Sequence, residues 1–365
     1  MIIDRLRATH VRVPLRRPFV TAREVLRARD IWIVRLDSRE GLTGTGEAAP
    51  LLGHGLAAGP PVARLLDAVR QALPAALDCL PLPRGTTATE AAVRFALETA
   101  QLDLQGQLTG RSLAELLGKK RQAFPVNAVL GAAADDEVVA EATAAVAAGF
   151  GTIKVKVGGR PLADDLRRLE RIRAAVGPTV RLRIDANGAW DASAALAALR
   201  AFRPLGLELV EQPVAPGQPA LLRRLREQSE VPIAADEDVA SLEAAGQLLA
   251  ADAVDLLVLK PMILGGLRAA LDLAVRAFDR GVRCFVTTTI ESGIATAAAA
   301  QLAAALPGAV PACGLATGPL LASDLLAQPL PLCRGTMYLP GGHGLGAPLD
   351  ERELARFAVR ESLEE

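Results

Sequence analysis

Aromatic residues, histidine and cysteine are all scarce in this sequence, and their scarcity argues against several classes of function. Aromatic side chains make up only 3% of the chain, so stacking platforms for single-stranded nucleic acid are not expected. Three histidines are too few for a histidine-rich metal site. The cysteines lack the paired spacing of a zinc site or a disulfide framework, which is typical of a protein of the reducing cytoplasm. They are Cys79, Cys284, Cys313 and Cys333.

Neither sign of charge is in excess, and long apolar runs are missing. Lys+Arg and Asp+Glu both number 41, so the whole chain has no electrostatic attraction to nucleic acid or anionic lipid. No apolar run reaches the roughly 18 residues that a membrane helix needs. Charged residues interrupt the first apolar stretch, MIIDRLRATHVRV, which therefore lacks the core of a secretory signal. We expect a cytoplasmic protein that acts on a small molecule rather than on nucleic acid or a membrane.

From about residue 126 the sequence alternates between short apolar strands and helical patterns rich in Ala, Leu and Arg. Eight such units predict a parallel α/β fold of the (β/α)8 barrel type. An open doubly wound sheet is the alternative, but the G-x-G-x-x-G of a dinucleotide-binding sheet is missing. The predicted strands lie in VNAVLGA (126–132), TIKVKV (152–157), RLRIDAN (181–187), LELVEQP (207–213), VPIAADED (231–238), VDLLVLKP (254–261), VRCFVTTTIES (282–292) and VPACGLAT (310–317).

Charged side chains lie at the carboxyl ends of these strands. In a barrel, the carboxyl ends converge on one mouth, where barrel active sites lie. Lys154 and Lys156 alternate with apolar residues, so they share one face of their strand. Lysines in such a pattern are also found on edge strands, where they prevent unwanted pairing, but a closed barrel has no edge. The strand-end residues are Lys154, Lys156, Asp185, Glu211, Asp236, Lys260 and Glu291.

Asp185, Glu211 and Asp236 come from three successive strands, and no histidine or cysteine accompanies them. Hard oxygen ligands of this kind prefer Mg²⁺ or Mn²⁺ to Zn²⁺, so we expect one such ion per subunit. The alternative is that each carboxylate only pairs with a neighbouring lysine. That alternative balances the charge, but it does not explain why so many charges collect at one end of a barrel, where desolvation is costly.

Lysines beside such a metal site indicate the abstraction of a proton next to a carboxylate. A divalent cation stabilises the enediolate that forms, and a lysine takes the proton if burial and neighbouring positive charge lower its pKa. A Schiff-base aldolase is an alternative of another class, because it is also a barrel with a strand-end lysine, here Lys156 or Lys260. It needs no metal, however, and leaves the three carboxylates without a role.

The order of short motifs around these residues resembles the enolase superfamily, and its muconate-lactonizing-enzyme-like branch in particular. The motifs are K-V-K, D-A-N, V-E-Q-P, A-D-E and L-K-P followed by G-G. The resemblance covers nearly the whole chain. Residue by residue it implies metal ligands at Asp185, Glu211 and Asp236, acid/base lysines at Lys156 and Lys260, a lysine that supports the substrate carboxylate at Lys154, and groups beside the metal ligands at Asn187 and Glu237.

The same resemblance implies a domain organisation. Residues 1–125 would form an α+β capping domain over the mouth of the barrel of residues 126–325. Residues 326–365 would return to the capping domain, and the expected assembly is a homo-oligomer. The N-terminal part is consistent with this interpretation, because it combines strand patterns near 2–13, 30–37 and 42–48 with helical patterns near 61–73 and 87–107.

The resemblance also implies where a small-molecule carboxylate substrate would bind. Two substrate loops would lie at RPFVTAREV (17–25) and EAAPLLGHG (47–55). Thr21 in the first loop and His54 in the second are the predicted contacts. Glu291, just after the seventh strand, is a third predicted substrate contact.

Three activities of this branch compete for the chain. They are o-succinylbenzoate synthesis by dehydration in menaquinone biosynthesis, racemisation or epimerisation of an N-acylamino acid or a dipeptide, and muconate cycloisomerisation. The stretches LVLKPMILGG and ACGLATGPLLASDLL are most similar to o-succinylbenzoate synthases. Dipeptide epimerases usually carry a D-x-D after the last strand that holds the substrate ammonium, and GLATGPLLASD has none. The sequence therefore favours the synthase.

Overall fold

The computed structural model describes residues 1–20, 25–51, 56–131 and 134–359. Their strands form an antiparallel sheet of β1 to β4, hereafter the N-terminal sheet, a parallel sheet of β6 to β12, and a small sheet of β13, β14 and β5. The strands are β1 (Ile2–Val20), β2 (Val25–Ser38), β3 (Thr43–Ala48), β4 (Ala75–Ala76), β5 (Ala123–Pro125), β6 (Ala128–Leu130), β7 (Thr152–Lys156), β8 (Arg181–Asp185), β9 (Leu207–Glu211), β10 (Ile233–Ala235), β11 (Leu256–Leu259), β12 (Arg283–Val286), β13 (Leu332–Cys333) and β14 (Thr336–Tyr338).

Helices connect the strands and begin at recognisable sequence signals. The long helix α2 starts at a capping box, in which the side chains of Thr87 and Glu90 each accept from the backbone N–H of the other. The helices are α1 (Val62–Gln71), α2 (Ala88–Thr109), α3 (Leu113–Leu116), α4 (Asp135–Ala147), α5 (Leu162–Val176), α6 (Ala192–Phe202), α7 (Pro219–Gln228), α8 (Leu242–Ala250), α9 (Pro261–Leu264), α10 (Leu267–Phe278), α11 (Gly293–Ala305) and α12 (Glu351–Phe357).

The strands β6 to β12 lie in the parallel sheet in their sequence order, and the helices α4 to α10 connect them. Parallel strands covered on both faces are apolar along their whole length. The strand β11 shows this, since all of its residues, LLVL, are buried. The sheet curls so that its two outer strands approach a common segment of chain. The α/β class predicted from the alternating pattern is confirmed.

Within the described residues, the predicted eighth strand does not form, so a ladder of eight strands does not close the sheet into a barrel. Single bridges instead join Cys313 to Val126 at one edge and Gly314 to Thr287 at the other. Pro311 has no N–H to contribute to a ladder. A side chain at position 314 would meet Thr287 Oγ1 at 2.4 Å, so only glycine permits this close approach.

Helix α11 packs against both β12 and the N-terminal strand β3. All of its residues are buried, as expected for a helix that is apolar on every side. Gln301 is the longest polar side chain on it, and both its amide oxygen and its amide nitrogen are hydrogen-bonded. Its Oε1 accepts from Ala114 N at 2.9 Å, and its Nε2 donates to Leu345 O at 3.1 Å. The helix therefore links three distant parts of the chain.

The C-terminal residues contact the N-terminal sheet. Arg35 of β2 donates to Glu351 of α12 at 2.5 Å, and Val359 N donates to His10 O at 2.9 Å. The domain limits at residues 125 and 325 stay predictions. No helix among the described residues combines the length and the apolarity that crossing a membrane requires.

We expect Gly314→Ala to destabilise the protein, because the new methyl group would lie 2.4 Å from Thr287 Oγ1. Overpacking of this kind costs ~1–3 kcal/mol, and urea unfolding followed by circular dichroism measures it. Gly151→Ala is the matched control, since a side chain there meets nothing within 4 Å. Equal free energies of unfolding for the two variants would contradict the prediction.

Candidate active site

Three carboxylates meet at the carboxyl end of the parallel sheet. Asp185 and Glu211 are the last residues of β8 and β9 and pair directly in register, and Asp236 follows β10. Since these strands end at the same level, one oxygen of each side chain lies within 4.8 Å of the others. All three residues are buried. The convergence expected of these strand ends is therefore observed.

Two lysines approach this cluster from the same face of β7. Lys154 Nζ lies 2.8 Å from Asp185 Oδ2 and 2.5 Å from Glu211 Oε1. Lys156 Nζ lies 2.6 Å from the same oxygen of Asp185. The strand β7 pairs with both β6 and β8, so the interpretation of these lysines as marks of an edge strand is wrong.

A third lysine reaches the cluster from the opposite flank. Lys260 follows β11 and donates to both carboxylate oxygens of Asp236, at 2.5 and 2.6 Å. The strands β8, β9 and β10 lie between β7 and β11, so lysines flank the carboxylates on two sides. Three of the five lysines in the sequence thus meet here, whereas most other basic residues are arginine. A lysine ammonium, unlike a guanidinium, can give up its proton in a suitable environment.

Burial and charge pairing act in opposite directions on the carboxylates. Burial raises the pKa of Asp185, but the ammonium groups of Lys154 and Lys156 outweigh it and hold that pKa well below its usual range. Glu211 behaves differently. Burial and the repulsion of Asp185 and Asp236 exceed the attraction of Lys154, and they raise its pKa to about 8. The lysines therefore do not fully offset the negative charge of the cluster.

The same balance determines the state of the lysines. Burial lowers the pKa of Lys154, but Asp185 and Glu211 outweigh it, so the pKa is raised. Burial likewise lowers the pKa of Lys260, and the neighbouring Asp236 raises it by more. Each of these two ammonium groups contacts carboxylates more closely than it contacts another positive charge, which favours its charged form. The lowered pKa of a lysine beside a bound cation stays a prediction.

The donor set fits a hard divalent metal ion. All three groups offer carboxylate oxygens, the ligands that Mg²⁺ and Mn²⁺ prefer. Glu211 Oε2 is buried and has no hydrogen-bond partner among the described residues. A buried oxygen in this state is unfavourable, and contact with a cation would remove the penalty. Asp185, Glu211 and Asp236 are therefore a candidate metal site.

Comparison with known families agrees with this geometry. Residues 137–353 match the family described as Enolase C-terminal domain-like, and residues 4–118 match the Mandelate racemase / muconate lactonizing enzyme, N-terminal domain. The chain belongs to the enolase superfamily. Enzymes of this superfamily use a divalent metal, which accords with the buried carboxylate cluster.

Relatives of this superfamily member catalyse different reactions. The L-Ala-D/L-Glu epimerase of Bacillus subtilis is 31% identical over 95% of this chain and 96% of its own. Its substrate-liganded structure has a TM-score of 0.88 at 30% identity and covers 96% of this chain and 100% of its own. A chloromuconate cycloisomerase of Cupriavidus pinatubonensis is 31% identical over 98% of this chain and 99% of its own. An o-succinylbenzoate synthase of Thermobifida fusca is 42% identical over 58% of this chain and 64% of its own.

Asn187 connects several strand-end groups of the site to one another. Its backbone N donates to Asp185 Oδ1 at 3.0 Å, and its Oδ1 accepts from Lys156 Nζ at 2.8 Å. Its Nδ2 donates to Glu237 Oε1 at 3.1 Å. A φ of 46° places it in the left-handed region, which asparagine tolerates better than most residues. Asn187 therefore orients both Lys156 and Asp185 and binds Glu237, and the functional roles of Asn187 and Glu237 stay predictions.

Gln212 belongs to this site, although the sequence analysis did not assign it. The side chain is fully buried at the end of β9. Its Oε1 accepts from Asp236 N at 2.9 Å and from Asp238 N at 3.3 Å, and its Nε2 donates to Asp238 Oδ2 at 2.7 Å. Gln212 thus holds the turn that carries Asp236. Its place beside Glu211 in V-E-Q-P was the available sequence signal.

Of the three predicted substrate contacts, the structure describes Glu291. Glu291 is buried, but its oxygens accept from Thr289 N at 2.6 Å and from Thr289 Oγ1 at 2.7 Å. Its carboxylate therefore closes its own turn, and a contact with substrate stays a prediction. Thr21 and His54 lie outside the described residues.

We expect Glu211→Gln to weaken Mg²⁺ binding at least about tenfold, or ~1.4 kcal/mol, because it removes one negative charge and keeps the shape of the side chain. Isothermal titration of the metal-stripped protein measures the affinity. The control Glu243→Gln changes an exposed carboxylate and should bind Mg²⁺ like the unmodified protein. Unchanged affinity in Glu211→Gln would refute the assigned metal site.

Proposed function

We propose that this enzyme abstracts a proton from the carbon next to a substrate carboxylate, and that the overall reaction is the dehydration that forms o-succinylbenzoate. The observation that carries the proposal is the approach of lysines to the buried carboxylates from two flanks, with Lys156 on β7 and Lys260 after β11. A divalent ion held by the carboxylates would supply positive charge where negative charge develops on the substrate.

Lys156 is the proposed base for the first step. Its side chain is 25% exposed, against 12% for Lys154 and 9% for Lys260. It is therefore the most accessible of the three lysines to a substrate that enters the site. Asn187 and Asp185 hold its Nζ in place at 2.8 and 2.6 Å. Lys154 remains charged between two carboxylates and would support the carboxylate of the substrate.

In the proposed dehydration, Lys156 alone accepts and returns the proton. Lys156 takes the α-proton, the neighbouring carbon of the cyclohexadiene substrate loses its hydroxyl group, and the ring becomes aromatic. The proton on Lys156 Nζ leaves with that hydroxyl as water, which returns the base to its neutral form. Lys260 stays protonated on the other flank, where its charge stabilises the negative charge of the transition state.

Two observations support the synthase over an enzyme that binds a free ammonium group. At the carboxyl end of β12, Thr288 Oγ1 lies 3.0 Å from Thr317 Oγ1, and both groups are neutral. Asp324 ends the stretch GLATGPLLASD, but its Oδ1 accepts from Leu326 N at 3.1 Å, within its own turn. The described residues here lack the paired carboxylates of a D-x-D. The 42% identity to the Thermobifida fusca synthase points the same way.

The N-terminal part of the chain is assigned the role of a cap over the substrate. Arg29 of β2 donates to Ile290 O at 3.2 Å, beyond the end of β12. Ala49 N, just after β3, donates to Met262 Sδ at 3.3 Å, two residues beyond Lys260. The N-terminal sheet therefore lies against the carboxyl end of the parallel sheet, where a lid can exclude water from the reaction.

Racemisation of an N-acylamino acid or epimerisation of a dipeptide is the second candidate. The likeness to the Bacillus subtilis epimerase extends over 95% of the chain. Inversion at a carbon atom needs a base on one face and an acid on the other, and Lys156 and Lys260 approach from two flanks. Both candidates share the first proton abstraction, so they differ in what the second lysine does.

Single lysine variants separate the two candidates. Lys156→Ala and Lys260→Ala should each lower kcat by about 10³-fold, within the 10²–10⁴ range of general acid–base catalysis, and the exposed Lys120→Ala should not. In a synthase, exchange of the α-proton of an N-succinylamino acid with deuterated water should depend mainly on Lys156. Exchange that the two lysines support about equally, each from its own face, would indicate the racemase. Near-normal kcat in either alanine variant would refute its assigned role.

Substrate preference tests the reaction itself. With Mg²⁺, we expect efficient formation of o-succinylbenzoate, weaker racemisation of N-succinylamino acids, and little action on unprotected dipeptides, because the stretch GLATGPLLASD offers no paired carboxylates to the ammonium. The measurement is kcat/KM for each substrate and for a muconate. A preference of more than about tenfold, or ~1.4 kcal/mol in the transition state, for a dipeptide or a muconate would overturn the synthase assignment.

A further inference from the structure

A buried carboxylate of the N-terminal sheet reaches the helix that follows β12. Glu47 of β3 is fully buried. Its Oε1 accepts from Ser292 N at 2.8 Å, and its Oε2 accepts from Ser292 Oγ at 2.5 Å and from Ala295 N at 2.9 Å. Ser292 is the N-cap of α11 but makes no capping bond of its own, because its hydroxyl donates to Glu47. The carboxylate thus satisfies N–H groups that the helix leaves unpaired.

A buried arginine of the same sheet binds the chain at Ile290, two residues before Ser292. Arg29 of β2 is 3% exposed. Its Nε donates to Ile290 O at 3.2 Å, and its Nη2 donates to Ala49 O at 2.6 Å. The arginine therefore joins the turn after β12 to the segment that leaves β3. Arg29 and Glu47 together bind the chain on both sides of Glu291.

The turn between them has a backbone conformation that needs support. Ile290 has a φ of 64°, in the left-handed region that a β-branched residue avoids unless its surroundings impose it. Within the turn, Glu291 accepts from Thr289 N at 2.6 Å, and Thr288 Oγ1 contacts Thr317 Oγ1 at 3.0 Å. These polar groups lie at the end of the parallel sheet that carries the carboxylates and lysines.

We propose that Arg29 and Glu47 form a clasp that positions the turn of residues 288–292 as one wall of the substrate site. Neither residue is assigned contact with the reacting atoms, so both are positioning residues. The clasp also fixes Glu47 and Ala49, in the segment that leaves β3, relative to the turn. The part of this inference that concerns substrate rests on the proposed function.

Hydrogen–deuterium exchange tests the clasp without any substrate. Burial raises the pKa of Glu47 to about 7, and the donors on Ser292 and Ala295 oppose this rise, so exchange is compared above that pH. Glu47→Gln replaces one acceptor oxygen by an NH₂ group that faces the donors of Ser292 and Ala295. Arg29→Met removes the hydrogen bond to Ile290 O. Each should speed exchange of amides in residues 287–296 at least about tenfold, or ~1.4 kcal/mol, and leave β8 to β10 unchanged.

Asp103→Asn is the matched control. Asp103 is also a buried acidic residue of the N-terminal part, and its oxygens accept from Thr45 N on β3 at 2.9 Å and from Leu345 N at 2.8 Å. Its loss should destabilise the fold without a selective effect on residues 287–296. If Asp103→Asn speeds exchange in that turn as much as Glu47→Gln does, the effect is general destabilisation and the clasp is refuted. Ser292→Ala removes only one donor and keeps the test available if Glu47→Gln does not fold.

Kinetics test the link to substrate. In both clasp variants KM for the best carboxylate substrate should rise at least about tenfold while kcat changes by less than about twofold, the pattern of lost binding rather than lost chemistry. Mg²⁺ affinity should not change. Faster exchange with unchanged KM would refute the substrate wall. Unchanged exchange would refute the clasp even if the enzyme turns over as proposed. An enzyme inactive on all carboxylates tested, with the expected exchange, would refute the proposed function and leave the clasp itself supported.

Discussion

The concentration of three carboxylates at one buried edge of a sheet is the constraint on which the rest of this structure depends. Like charges this close repel strongly, and burial removes the water that would screen them. Lysines from both flanks supply opposite charge at 2.5–2.8 Å. Even so, Glu211 keeps a raised pKa and an oxygen without a partner among the described residues. The cluster therefore suits a divalent cation better than ion pairs alone.

The parallel sheet provides this concentration because neighbouring strands end in register. Asp185 pairs with Glu211 on one side and with Lys156 on the other, so three functional groups occupy one level. Neighbouring amides then fix their directions. Asn187 binds Lys156 and Asp185, and Gln212 holds the turn that carries Asp236. Preorganisation of this kind is what allows fixed charges to act on a reaction without rearranging.

The N-terminal sheet and its helix are joined to the parallel sheet by buried acidic side chains that accept from backbone N–H groups. Glu47 binds Ser292 and Ala295, and Glu98 of α2 binds Leu267 at the start of α10. Both carboxylates are buried, and burial raises the pKa of each. The two parts are thus connected by directional bonds as well as by apolar packing, and the substrate wall depends on that connection.

The sequence by itself determined which residues stand at the strand ends, because strand and helix periods are local properties of the chain. The face shared by Lys154 and Lys156 and the series Asp185, Glu211 and Asp236 could be read in this way, as could the α/β class and the family. Only the tertiary structure decided that the eighth segment makes single bridges, since Gly314 meets Thr287 across the sheet.

The sequence also did not reveal the charge states of the site residues or their contacts with residues distant in the chain. The pKa of Lys260 is raised because both oxygens of Asp236 face it, and spacing along the chain does not reveal that contact. Glu47 binds Ser292 across 245 positions of sequence, and Glu291 turns back on Thr289. Local periodicity carries no information about such contacts, because hydrogen bonds and Coulomb energies depend on distances in space that only the folded chain defines.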